Sequence, residues 1–520
     1  MITLLRETDD TGSIFKPTLV LMSGRMLSFI ATFFIPVVLV RLFAPGEFGT
    51  YKQAFLIYMT VYGIAQLGMA ESLFYFLPRA PKKAGRYAMN SLLMLLAAAV
   101  LFSGLLMEEK SRISEWLSNS GLAQYLPLLA VYLLLMTMSA TLEIVMISRK
   151  QYRRAALSYA VSDVLRAAFL IVPAVLLRSL YGLFLGAVAF ALLRFVITLF
   201  YFWREFGDEF RPDVRLLQQQ LAYALPFEMA IVVETLHMNF HQYAVSHYFD
   251  AATFAIYAVG CLQIPLVEFL ASPAGNVMMV RMSEEIRDGR NDSVVALWHE
   301  TTRKLALIFI PLFGLLVVTA RDLIVFLFTE SYVASVSIFM VWSLTVLLSA
   351  FQTDAALRVY AQTRFLFMLH LLRLLIIVGL ISVFLSGFGL LGAVLITLLS
   401  LAIAKALSLF RLKQLMQISI AQLLPWGSLA AVGAVSLAAF LIAQSVESTL
   451  GFSVMLRLLV VGLVYMVSYL VLLMRFDLLN SREKSGIAIW LQRFTVEKSP
   501  KKKVREQLEE EKPCAVSSES

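Results

Sequence analysis

One apolar stretch of the chain carries six polar side chains that could do chemistry: Glu228, Glu234, His237, Asn239, His241 and Gln242. Glu234, His237 and His241 follow helical spacing and share a face. A carboxylate beside two imidazoles can take up and release protons near neutral pH. Such a face is costly to turn toward hydrocarbon. It is therefore expected to line a polar cavity, with a buried hydrogen-bonded patch between helices as the alternative. Zinc fits poorly, because no further ligand cluster accompanies these residues and one helix face does not close a tetrahedron.

Arg25 is the second candidate. It stands roughly 12 Å into the first apolar stretch at 1.5 Å per residue, with Ser28, Thr32 and Pro36 on nearly the same face. A guanidinium there could fork onto phosphate oxygens, or it could snorkel to the membrane interface. Glu71 and Glu268 are further cavity candidates, as is Arg373, with His370 one turn earlier. Arg194 and Lys405 also sit deeper than a loop would require. Asp163 with Arg166, and Asp354 with Arg358, are spaced to pair along their own helices.

These residues must be positioned by membrane helices. The chain has 520 residues, 60% hydrophobic and 15% charged, where soluble domains run nearer half and a quarter. Apolar runs of about twenty residues recur along almost its whole length, and about fourteen spans are expected. Barrel strands would be shorter and would alternate. The N-terminus is polar and the first apolar run is too long for the core of a cleavable signal. Loops after even-numbered spans are rich in Lys and Arg: Arg79, Lys82, Lys83 and Arg86, then Arg149, Lys150, Arg153 and Arg154. That places these loops, and both termini, in the cytoplasm. The net charge of +9 is this bias plus a Lys-rich tail, and does not indicate nucleic-acid binding. Cys261 reads as apolar filler and Cys514 as an exposed thiol.

A corner occurs twice. "RLFAPGEFGTY" (41–51) leads into the second span and "SHYFDAATFAIY" (246–257) into the eighth, with Phe43, Phe48 and Tyr51 matched by Phe249, Phe254 and Tyr257. The copies are six spans apart and run in the same direction, as in a parallel repeat whose interface would hold the substrate.

At these residues the chain resembles a known family. "VRLFAPGEFGTY", the basic loop "FLPRAPKKAGRY" and "YALPFEMAIVVETLHMNFHQYAVSHYF" (223–249) are similar to segments of the bacterial polysaccharide-biosynthesis membrane proteins. These are oligosaccharide-lipid flippases, in the superfamily that also holds multidrug and toxin extrusion transporters and the lipid II flippase. The resemblance implies an all-α polytopic membrane protein with two six-helix lobes in a V and two added C-terminal helices. The expected divisions are 1–210 (spans 1–6), 211–415 (spans 7–12), 416–475 (spans 13 and 14) and a partly disordered cytoplasmic tail, 476–520. The resemblance also implies a polyprenyl-pyrophosphate-linked glycan as cargo, moved to the outer leaflet of the bacterial cytoplasmic membrane for O-antigen, capsule or exopolysaccharide synthesis. A proton or sodium ion as coupling partner, membrane lipids and polysaccharide-assembly proteins complete the expected partners. No cofactor is called for. One departure is that family members often carry an acid–base pair before the Tyr of the seventh helix. His241 and Gln242 stand there in this chain, so a role resting on a fixed carboxylate is in doubt.

The physics agrees with that cargo. A polyprenyl tail can stay in lipid, but the doubly anionic head cannot cross about 30 Å of hydrocarbon unaided and needs a polar, preferably cationic cavity. A cation-coupled multidrug antiporter would favour acidic cavity residues over Arg25. A membrane glycan polymerase or ligase would need large outer loops, and the largest expected here, 108–122, carries no catalytic constellation. There is no P-loop, hence no ATP hydrolysis by this chain.

Overall fold

The structure, a computed structural model, describes residues 15–447, 451 and 453–479; the side chains of residues 15–23, 25, 27 and 227 lie outside the description. The expected tail (476–520) falls mostly beyond it. The first half is built from α1 (Phe15–Leu42), α2 (Pro45–Ala65), α3 (Met69–Arg79), α4 (Ala84–Glu108), α5 (Lys110–Trp116), α6 (Leu126–Met138), α7 (Leu142–Ser148), α8 (Tyr152–Leu177) and α9 (Leu180–Phe206). The second continues with α10 (Val214–Tyr248), α11 (Ala251–Gly260), α12 (Pro265–Arg287), α13 (Asn291–Val318), α14 (Ala320–Phe328), α15 (Ser335–Trp342), α16 (Leu344–Leu348), α17 (Thr353–Val359), α18 (Thr363–Phe388) and α19 (Leu390–Met416). The chain closes with α20 (Ile420–Leu423), α21 (Trp426–Glu447) and α22 (Val454–Arg475).

Among the described residues, twelve helical stretches are long and apolar enough to cross a membrane, and the bent pair α11–α12 makes thirteen. The described part of α1, Ser28–Leu42, adds a shorter apolar helix. The expected fourteen agree with this set. The protein is an all-α polytopic membrane protein.

Several spans are not single rods. The eighth bends by 50° between α11 and α12, because Pro265 restricts the residue before it and starts a new helix. The second breaks at 66–68, where Leu67 (φ 49°) and Gly68 (φ 64°) are left-handed. Gly68 is required there twice over: a Cβ would lie 2.7 Å from the Ala224 carbonyl oxygen. The segment 108–122, read from sequence as a loop, contains α5.

α10 links the two halves. Its first turn is capped by Asp213, whose carboxylate accepts from the Arg215 and Leu216 N–H groups (3.1 and 3.2 Å) and pairs with Arg86 of α4 at 3.0 Å. Gln220 then donates to Ser72 and Ser91 (2.8 and 2.7 Å). The far end of α10 packs on α18 and α11. α21 and α22 pack on each other and on α13. They are fixed by a Tyr469 hydroxyl bond to the Leu307 carbonyl (2.8 Å) and the Arg457–Asp322 ion pair.

The Leu216 N–H, and then the Arg86 guanidinium, hold the Asp213 carboxyl below its ordinary value. Its contribution to stability is present above the unfolded carboxyl value of about 3.9 and is lost as pH falls through the folded one. Asp213→Asn should therefore lower Tm at neutral pH, and the gap to the parent protein should close as pH falls below the unfolded carboxyl value and through the folded one. Thermal scans of both proteins across pH check this.

Candidate substrate cavity

The two repeated corners meet at one end of the molecule. Phe48, Tyr51, Phe254 and Tyr257 are all buried, and α2 packs along α11. Gly49 lies so close to α11 that a Cβ would sit 1.8 Å from the Ala251 carbonyl oxygen. Gln53 bridges the halves, donating to Ser246 (2.7 Å) while its carbonyl accepts from Asn119 (2.6 Å). Ser118 donates to the His247 carbonyl (2.6 Å), and the His247 ring bonds the Trp116 carbonyl (2.7 Å). On the opposite flank Arg41 donates to the Leu327 and Phe326 carbonyls (2.7 and 2.5 Å). The halves are thus joined at the corner end.

Toward the other end lies a cavity of about 410 Å³, walled by α10, α12, α16–α19 and the turns between them. Its wall holds Glu234, His237, Glu268 and Arg373, four of the residues singled out from sequence. His237 is 1% exposed, and its ring stacks on His370 at 5.2 Å. The Nε2 of His237, the Nδ1 of His370 and the Nε of Arg373 are buried with no hydrogen-bond partner. Buried polar atoms are ordinarily paired, so three orphans on one wall mark a place shaped for something else. Arg358 also faces the cavity.

The other sequence candidates go elsewhere. His241 is buried, bonds the Tyr257 hydroxyl through Nδ1 at 2.6 Å and lies against Trp342. It braces the second corner rather than lining the cavity. Ser28 donates to Asp163 of α8 and to the Tyr159 carbonyl (2.8 Å). Thr32 bonds carbonyls of its own helix (3.2 and 3.1 Å). Glu71 sits beside the break between α2 and α3. The Arg25 side chain lies outside the described residues.

Two expected ion pairs divide. Asp163 and Arg166 do pair, at 2.8 Å. Asp354 instead meets Lys405 of α19 at 3.4 Å, and Arg358 does not take that place. α17 starts afresh at Thr353, so Asp354 lies in its first turn, where it faces α19. Lys405 also donates to the Phe351 carbonyl and the Thr353 hydroxyl (3.1 and 3.0 Å), so its charge is fully engaged. Arg194 forms a comparable buried pair with Glu143 at 2.7 Å.

Sequence reading missed the contribution of α12 beyond Glu268. Ser272, Gly275, Asn276 and Met279 line the cavity with it. The signal was present as a stripe of small and polar residues at helical period. Gln352, also in the wall, comes from a helix break and has no such signature.

Comparisons with known proteins place this geometry in a context. Among solved structures, a lipid II flippase MurJ in an inward closed conformation matches with a TM-score of 0.67 at 14% identity, over 87% of this chain and 98% of that one. An inward-facing multidrug resistance MATE family transporter of the MOP superfamily matches with a TM-score of 0.61 at 13% identity, over 74% and 94%. A MOP superfamily transporter from Pyrococcus furiosus, described as having a binding pocket of reversed polarity, matches with a TM-score of 0.54 at 14% identity, over 80% and 98%. At these identities the likeness is one of fold. No curated protein sequence matches significantly. The profile of a family described as polysaccharide biosynthesis protein matches residues 38–337. That range runs through both repeated corners and the α10 and α12 walls of the cavity, and the chain belongs to this polysaccharide biosynthesis protein family.

Proposed function

We propose that the protein flips a polyprenyl-pyrophosphate-linked oligosaccharide from the inner to the outer leaflet of a bacterial cytoplasmic membrane by alternating access. The observation that carries this reading is the set of unpartnered nitrogens on one cavity wall, in His237, His370 and Arg373. Nδ1 of His237 is already turned to the Val233 carbonyl, so the Nε–H of Arg373 is the standing donor among them, and a guanidinium is the group that suits phosphate oxygens best. Glu234, Glu268, Asn276 and Gln352 supply partners for sugar hydroxyls. The polyprenyl tail stays in lipid while the head occupies the cavity. The joined corners close the end expected to face outward, so the cavity would take its cargo from the cytoplasmic side. Separation of the corners would then release it.

The test is flipping of a fluorescent polyprenyl-pyrophosphate glycan in proteoliposomes, scored by accessibility of the sugar to an impermeant reagent. Flipping by the parent protein supports the reading. Export of cationic drugs without glycan movement would replace it with multidrug antiport, for which the exposed Glu234 and Glu268 would be the cation partners.

Sidedness has its own test. A cysteine at position 83 in intact cells should resist an impermeant external thiol reagent, and one at position 46 should react. Labelling at position 83 would invert the topology.

A further inference from the structure

The break between α2 and α3 gathers buried oxygens that nothing satisfies. Glu228 is 3% exposed, and neither of its carboxylate oxygens has a partner. The Oε2 of Glu71, both amide atoms of Gln66 and the Oε1 of Gln220 are likewise buried and unpartnered. Helix geometry brings these groups together. Gln220, Ala224 and Glu228 follow one another by single turns on one face of α10, and Ala224 lies directly against Gly68 of the break. Gln66 is inside the break and Glu71 opens α3. Gln220 is held there by its bonds to Ser72 and Ser91. Glu71 is the charged group that bears on Glu228. The Gly68 backbone N–H is directed at Glu228 without meeting hydrogen-bond geometry.

Among the described residues, no cation offsets these carboxylates. Tyr62 of α2 is the further titratable group that Glu71 bears on. From α3, Arg79 is taken up over the Tyr75 ring at 3.6 Å, and Tyr75 stacks on Tyr223 of α10 at 4.5 Å. From α4, Arg86 is engaged by Asp213, while Tyr87 stacks on Phe76. Burying even one ionised carboxylate unpaired is strongly unfavourable, and like charges sharing a site cannot both persist unneutralised. Something positive belongs there. Hard cations take oxygen ligands. Among the described residues no group of three or more His, Cys, Asp or Glu is placed to hold a metal ion, which argues against a multivalent metal.

We propose that Gln66, Glu71, Gln220 and Glu228 form a site for one monovalent cation, a proton or a sodium ion, at the break in the second span. Its placement makes it a coupling site. Occupancy ties the first half of α10 to the break between α2 and α3, whereas the second half of α10 packs against α18 and α11 as well as along α2. A cation held more tightly in one arrangement of the halves shifts the balance toward that arrangement. The site is separate from the headgroup cavity, and its existence does not depend on which cargo the protein carries.

The experiment uses the purified full chain in detergent. Tm is followed as sodium chloride replaces choline chloride at constant ionic strength, at several pH values, for the parent protein, Glu228→Gln and Glu71→Gln/Glu228→Gln. These isosteric changes remove buried charge and should leave the fold intact. If sodium is the occupant, it raises Tm saturably by roughly 2 °C or more, and the rise is lost in both variants. If a proton is the occupant, sodium has no specific effect, and the pH dependence of Tm differs between the parent and the double variant. Both results support the site and tell the two cations apart. A parent protein whose Tm responds to neither cation, or whose responses the double variant shares in full, overturns it.

Discussion

Arg373→Ala is expected to slow flipping of a lipid-linked glycan by about 10- to 100-fold. That range corresponds to the roughly 1.5–3 kcal/mol carried by hydrogen bonds to a charged group. The Nε of Arg373 is buried in the cavity wall without an acceptor, so its bonding capacity is held ready for a ligand rather than used in the fold. Arg373→Lys should recover part of the rate, because it keeps the charge but loses the planar fork. His237→Gln and His370→Gln should each cost less than Arg373→Ala, since each removes one ring nitrogen and no permanent charge. Expression level and Tm serve as controls for folding. Transport at parental rate by a well-folded Arg373→Ala protein would remove this wall as the anion site. Attention would then turn to Arg358, the other arginine facing the cavity.

Gly49→Val should abolish transport by preventing the corners from meeting. The added Cβ would lie 1.8 Å from the Ala251 carbonyl oxygen and 2.5 Å from the carbon of the same carbonyl. The neighbour is backbone and cannot swing aside, so α2 and α11 must move apart. Core overpacking typically costs about 1–3 kcal/mol. Here that cost falls wholly on the closed arrangement, so separated corners become favoured by about the same amount. A Ser118→Cys/His247→Cys pair reports the closure, because Ser118 donates to the His247 carbonyl at 2.6 Å. The pair should cross-link in the parent background and much less with Gly49→Val. Equal cross-linking together with normal transport would show that this contact is not the closure.

The two predictions draw on different levels of the molecule. The corner was visible in sequence as a repeated Phe and Tyr pattern, because aromatic residues at a helix start recur wherever the same packing recurs. What the sequence did not show is that the two copies pack against each other through a glycine. Gly46 and Gly49 are equally small and lie three residues apart, yet a Cβ at Gly46 would meet nothing within 4 Å. Only the approach of α11 separates the two.

The cavity was legible in part. The polar face of α10 announced itself because charge inside an apolar run is conspicuous and expensive. Within that face His237 lines the cavity while His241, one turn on, braces Tyr257. Periodicity assigns residues to a helix face, but the neighbouring helix decides what each turn of that face meets. The helix breaks were less legible still. Neither was read from sequence: the eighth span was expected to run unbroken through Pro265, where it bends by 50°, and Gln66–Gly68 contains a single glycine in an ordinary apolar run.

By itself the sequence determined that this chain is a bundle of about fourteen membrane helices. It also displayed a corner that occurs twice and charge at particular depths. These follow from local quantities: the hydropathy needed to match the bilayer, the lysines and arginines of short loops, and spacing along one helix. The tertiary structure alone decided which acid meets which base. Asp354 takes Lys405, fifty-one residues away, over Arg358 on the next turn of its own helix. Ser28 takes Asp163 across to α8, and Gln220 of α10 takes Ser72 across to α3. Each of these contacts depends on the lateral distance between helices far apart in the chain. That distance is set by packing over the whole bundle rather than by any local pattern.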